Sequence, residues 1–115
     1  MIKKISTDKA PAAIGPYSQA ILCGNMLYNS GQLGMNPANG ESEGTDITAQ
    51  AEQALQNLGA ILAEAGTSFD NIVKTTCFLA DMADFAAFNQ VYAAYFVSKP
   101  ARSCYAVKEL PKGVL

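Results

Sequence analysis

The chain has 115 residues, a formal net charge of -2 and no histidine, and only 16% of its residues are charged against a usual ~25%. That length makes one domain, spanning residues 1–115, and an acidic chain lacks the clustered cations that displace counterions from nucleic acid. Half of the residues are apolar, so a domain this small and this poor in charge is expected to bury part of its surface against copies of itself.

The first strand-like runs are Gln19 to Cys23 and Met26 to Leu33. Gly24-Asn25 between them is hairpin chemistry, because both residue types tolerate positive φ. Ahead of them, Lys3-Lys4 and Lys9 read as a solvated end. Asn36-Pro37-Ala38-Asn39-Gly40 is a dense turn signal. A helix then opens at Thr45-Asp46, either of which can cap it, and stops at Gly66. Its apolar stripe is Ala51, Leu55, Leu58, Leu62 and Ala65.

Asn71 to Leu79 reads as a strand with Val73, Thr75, Cys77 and Leu79 on one face. The second helix runs from about Met82 to Phe96, with Phe85, Phe88, Tyr92 and Tyr95 on its buried side. Pro100 cannot continue it. The next strand places Arg102, Cys104 and Ala106 on one face and Ser103, Tyr105 and Val107 on the other. Leu110-Pro111-Lys112-Gly113 turns the chain, and Val114-Leu115 reads as the opening of one more strand. Two helices cannot cover both sides of such a sheet, so both are expected on one face. A neighbouring subunit is expected to cover the other face, which holds Tyr28 and Leu33.

Cys23, Cys77 and Cys104 are odd in number and widely spaced. They form neither a disulfide framework nor a zinc set. Reduced thiols, no apolar run near the ~18 residues of a membrane span and no apolar stretch after Met1 to Ser6 lead to the expectation of a cytoplasmic protein.

Arg102 is the only arginine in the chain. Its planar fork can grip a carboxylate or phosphate with two parallel hydrogen bonds, which lysine cannot do. With no histidine, the usual proton carrier near neutral pH is missing. Together these point to anion capture at Arg102, with chemistry left to water, carboxyl, hydroxyl or backbone groups. Four other places are ambiguous by residue type alone. Gly15-Pro16 delivers Tyr17 rigidly, toward a ligand or as a strand anchor. Ser30-Gly31-Gln32 marks either a ligand approach or close packing. Cys104 is a nucleophile without a base, or a small wall residue. Asn89 turns toward a site or toward solvent.

In order and spacing, Ile14 to Ala20, Ser30-Gly31-Gln32, Phe88-Asn89-Gln90-Val91-Tyr92 and Pro100 to Cys104 resemble the Rid (reactive intermediate deaminase, YjgF) family. The resemblance runs the length of the chain and includes Leu110-Pro111-Lys112-Gly113. It implies a chorismate-mutase-like α+β fold of order β-β-α-β-α-β with a further final strand. It also implies a homotrimer whose sheets close a central barrel and whose active-site clefts each draw on two chains.

The implied activity is hydrolysis of enamines and imines such as 2-aminoacrylate and 2-iminobutanoate to 2-oxo acids and ammonia, with no metal or cofactor. Those intermediates leave pyridoxal-phosphate enzymes, which implies a functional link to them. Carried over by position, the catalytic residues are Arg102, which binds the substrate carboxylate, and Tyr17, which lines the pocket and hydrogen-bonds. Ser30 and Gly31 present side-chain and backbone groups, Asn89 shapes the polar side, and Cys104 forms wall. The family pattern continues past Leu115 with a strand carrying a glutamate that positions the attacking water. A trimer that binds 2-oxo acids without turning over substrate is the alternative.

Overall fold

The computed structural model describes residues 2–115. Its strands are β1 (Ile2–Ile5), β2 (Ala20–Cys23), β3 (Met26–Asn29), β4 (Lys74–Leu79) and β5 (Ala101–Ala106). The helices are α1 (Ile47–Ala65) and α2 (Phe85–Tyr95). From Ala20 onward the order follows the sequence reading, and β1 stands in front of it as an additional strand. The segment around Lys3 and Lys4 is therefore not simply a solvated end. Only Ile5 of β1 is buried, and the rest of the strand is exposed.

β1, β2 and β3 form an antiparallel ladder in which Cys23 faces Met26 across the predicted Gly24-Asn25 loop. Gly24 takes φ +62° there, the left-handed conformation such a two-residue loop demands. β4 and β5 pair in parallel, joined by α2 as the crossover, with Thr75 opposite Arg102 and Cys77 opposite Cys104. The pairing is mixed, but the ladder is interrupted between β3 and β4.

α1 begins where Asp46 accepts a hydrogen bond from the Ala49 N–H at 2.8 Å and ends at Gly66, whose φ is +85°. Both caps follow the sequence signals. α1 then bridges two apolar clusters. Ala51 and Leu55 pack with Val91, Tyr92 and Phe96 of the α2 segment, and Ile61 packs with Ile5 and Ala20 of the antiparallel sheet and with Ala10 of the segment between β1 and β2. Ile61 is fully buried although the predicted stripe passed it by. Asn57, also fully buried, donates to the Leu33 and Met35 carbonyls at 3.1 and 2.8 Å and accepts from Gln53. Gly34 lies so close to α1 that a Cβ would collide with the backbone of Gln50.

Two local expectations are corrected. The strand expected from Asn71 begins only at Lys74, because Asn71 closes a 3₁₀ turn, Phe69–Asn71, and Val73 is 68% exposed instead of sharing the inner face of Thr75, Cys77 and Leu79. α2 is likewise preceded by a separate 3₁₀ turn, Met82–Asp84. Among the described residues no helix is long and apolar enough to cross a membrane.

Candidate functional site

Arg102 enters the structure through the turn between α2 and β5. Lys99 adopts φ +56°, its N–H donates to the Phe96 carbonyl, and Pro100 follows. This reversal sets Arg102 on the strand face that looks at α2. Its guanidinium carbon lies 4.6 Å from the Tyr92 ring centroid and 5.4 Å from that of Phe85, within cation–π range. Nη1 donates to Asn89 Oδ1 at 2.7 Å.

Asn89 and Tyr92 are three residues apart on α2, which puts them on one face. The Tyr92 hydroxyl in turn pairs with Thr75 Oγ1 at 2.7 Å. Asn89 and the Tyr92 and Phe85 rings thus hold the guanidinium, and Thr75 holds Tyr92. Its partner is a neutral amide, and four of its five donors are left over, so the positive charge stays free for an anion.

Beside Arg102 lies a cavity of about 450 Å³, lined also by Asn89, Tyr92, Phe96 and Lys99. That volume suits a small molecule. Lys99 adds a second cation to the rim and no carboxylate shares the lining. The lysine was not foreseen, because only its turn conformation brings it there. Asn89 was ambiguous by spacing, and its hydrogen bond to Arg102 resolves the ambiguity.

Tyr17, Ser30 and Gly31 gather elsewhere, at the mouth of a larger groove. The Gly15-Pro16 turn, closed by the Tyr17 N–H donating to the Gly15 carbonyl at 2.9 Å, holds Tyr17 out, 54% exposed. Behind it, Gln19 is buried and pins the preceding segment. It accepts from the Thr7 N–H at 2.7 Å and donates to the carbonyls of Thr7, Ala10 and Pro11. Ser30 Oγ donates to the Ser18 carbonyl at 2.6 Å, so its hydroxyl ties the two segments together. A Cβ on Gly31 would meet nothing within 4 Å. Close packing therefore does not explain that glycine, whose backbone faces open space.

Cys104 sits half-buried on the Arg102 face, in register with Cys77. Burial, and then the proximity of Cys104, push the Cys77 thiol up from its ordinary value, while Thr75, Arg102 and Lys74 pull weakly the other way. Cys77 is thus a protonated wall residue. Among the described residues, no group of three or more His, Cys, Asp or Glu side chains is placed to hold a metal ion. Within this chain, Arg102 and Asn89 line one cavity and Tyr17, Ser30 and Gly31 another.

Fold and site together define a small α+β domain with a pocket built around its one arginine. The chain belongs to the YjgF/Rid family, whose model, described as endoribonuclease L-PSP, matches residues 7–115. It is 56% identical to the 2-iminobutanoate/2-iminopropanoate deaminase of Capra hircus over 95% of this chain and 80% of that protein. A putative endoribonuclease L-PSP from Entamoeba histolytica superposes with a TM-score of 0.96 at 47% identity, covering 100% of this chain and 93% of the other. A protein of unknown function of the conserved Rid protein family, YyfA from Yersinia pestis, superposes with a TM-score of 0.97 at 46% identity, covering 100% of this chain and 93% of that one.

Proposed function

We propose that this protein hydrolyses 2-imino and 2-enamino acids to 2-oxo acids and ammonia, acting as a 2-iminobutanoate/2-iminopropanoate deaminase. The observation that carries this reading is the Arg102 guanidinium, stacked on Tyr92 and anchored by Asn89 while most of its donors stay free. The name of the goat relative points to the same substrates, small acids with one carboxylate.

The chemistry asks little of the chain. An enamine tautomerises to the imine, whose protonated C=N carbon is already electrophilic. Arg102 holds the carboxylate through charge-assisted hydrogen bonds worth roughly 1.5–3 kcal/mol. The fixed orientation lets a water attack that carbon. The carbinolamine then releases ammonia and leaves the 2-oxo acid. Asn89 orients the guanidinium, and Lys99 strengthens the positive field of the pocket. Cys104 forms wall.

The complete site draws on two chains of a homotrimer, in which Tyr17, Ser30 and Gly31 of one subunit meet Arg102 of the next. Two observations support this. The two residue groups line separate cavities of a single subunit. Tyr28, Phe78 and Tyr105 are exposed, with Phe78 and Tyr105 in an edge-to-face pair, which suits burial against neighbouring copies. The substrates come from pyridoxal-phosphate eliminations, and the three free cysteines suit a reducing cytoplasm.

The test is a coupled assay. Added to a dehydratase that releases 2-iminobutanoate, the protein accelerates 2-oxobutanoate formation. Binding of 2-oxobutanoate in calorimetry with no acceleration would instead favour a regulatory trimer.

A further inference from the structure

The parallel register of β4 and β5 sets Cys77 directly opposite Cys104. Partners in such a register point to the same face of the sheet. That face is the one turned to α2. Thr75, two residues before Cys77, bonds to the Tyr92 hydroxyl, and Arg102, two before Cys104, stacks on the Tyr92 ring. Both thiols are therefore held together on the helix side, half-buried, while Cys23 stands exposed at the end of β2. Sequence spacing gives no sign of the pair, which only the α2 crossover brings together.

The separation decides what two such thiols can do. Neighbouring strands run ~4.8 Å apart, and two side chains that leave a sheet in parallel keep about that separation. A disulfide asks for Cβ atoms about 3.5–4.5 Å apart and sulfurs at about 2.05 Å, so the strands must lean together to make one. A metal bridge asks for no such movement. Two metal–thiolate bonds of about 2.3 Å, laid end to end, span ~4.6 Å between sulfurs. The ladder thus presets the pair for a linear sulfur–metal–sulfur unit.

Ligand number and softness choose the ion. Structural zinc takes four ligands, and among the described residues no group of three or more His, Cys, Asp or Glu side chains is placed to hold a metal. Calcium and magnesium seek oxygen. Two thiolates alone suit a soft monovalent ion, Cu(I). The surroundings agree with that choice. Cys77 packs against the apolar cluster of Ala51, Leu55, Val91, Tyr92 and Phe96, where a bare thiolate is disfavoured. Copper bound to both sulfurs leaves one net negative charge, and the Arg102 guanidinium on the same face offsets it.

We propose that Cys77 and Cys104 form a two-coordinate dithiolate site for one Cu(I) ion, lying on the α2 side of the sheet next to Arg102. Binding breaks two S–H bonds, forms two Cu–S bonds and releases two protons to solvent, with no change in oxidation state.

The probe is Cu(I) itself, titrated without oxygen into the reduced, intact chain in competition with the chromophoric chelator bicinchoninate. The native protein is expected to withdraw about one ion per chain. Loss of an outer-shell partner already weakens a metal site about 10–100-fold, so loss of a ligand, in Cys77→Ser or Cys104→Ser, is expected to weaken it at least about a hundredfold. Cys23→Ser is expected to bind as the native chain does. X-ray absorption at the copper edge of the native protein, which needs no variant to fold, is expected to show two sulfur neighbours. No withdrawal of copper, undiminished binding in Cys77→Ser and Cys104→Ser, loss of binding in Cys23→Ser, or a copper shell of oxygen and nitrogen would each overturn the proposal.

Discussion

The guanidinium carbon of Arg102 lies 4.6 Å from the centroid of the Tyr92 ring, while the Tyr92 hydroxyl is paired with Thr75. The ring thus works as a platform whose far edge is bolted to β4. Tyr92→Phe keeps the platform and loses the bolt, which is expected to cost about 1 kcal/mol of stability with little change in turnover. Tyr92→Leu removes the aromatic face, and KM is expected to rise about threefold to thirtyfold with a smaller change in kcat. Steady-state kinetics on both variants, with chemical denaturation as a control, checks the split.

Asn57 joins α1 to the segment after β3. It is fully buried and donates to two backbone carbonyls. Asn57→Leu leaves both acceptors without that donor, at roughly 1–3 kcal/mol. A fall of that size in unfolding free energy by urea titration is the expected outcome. The Arg102 pocket, built from α2 and β5, is expected to keep its affinity for 2-oxobutanoate in the folded fraction.

Alkaline pH is expected to weaken the fold. Burial and Cys104 raise the Cys77 thiol above its ordinary 9.0, and burial and the hydrogen bond to Glu52 raise the Tyr95 hydroxyl above 10.0. In each case the folded state holds its proton more tightly than the unfolded chain. That contribution is fully present below pH 9 and is lost as pH rises through the folded values. Tm is therefore expected to decline from about pH 9 upward, less steeply in Cys77→Ala and Tyr95→Phe. Thiol labelling at pH 8 is expected to reach exposed Cys23 well before Cys77.

Much of this was legible in the chain. Gly24-Asn25, Asp46, Gly66 and Pro100 each carry a local conformational demand, and each sits where that demand puts it. What escaped depends on partners distant in sequence. β1 buries only Ile5, so it has no alternation to read, and its lysines look like a solvated tail while serving an edge strand. Nothing in the sequence singles out Asn57, because the Leu33 and Met35 carbonyls it serves lie more than twenty positions away.

Arg102 stood out by residue type alone. Its partner Asn89 did not, because they meet only through the parallel crossover that lays β5 against α2. The division of the candidate residues between two cavities is a property of the folded chain, and no motif carries it.

The most direct test of carboxylate capture by Arg102 is kcat/KM for 2-iminobutanoate in the native protein and in Arg102→Lys, which keeps the charge and loses the fork. Loss of bidentate geometry predicts a fall of about ten- to a hundredfold. An unchanged kcat/KM in Arg102→Lys, confirmed in Arg102→Ala, would contradict the account.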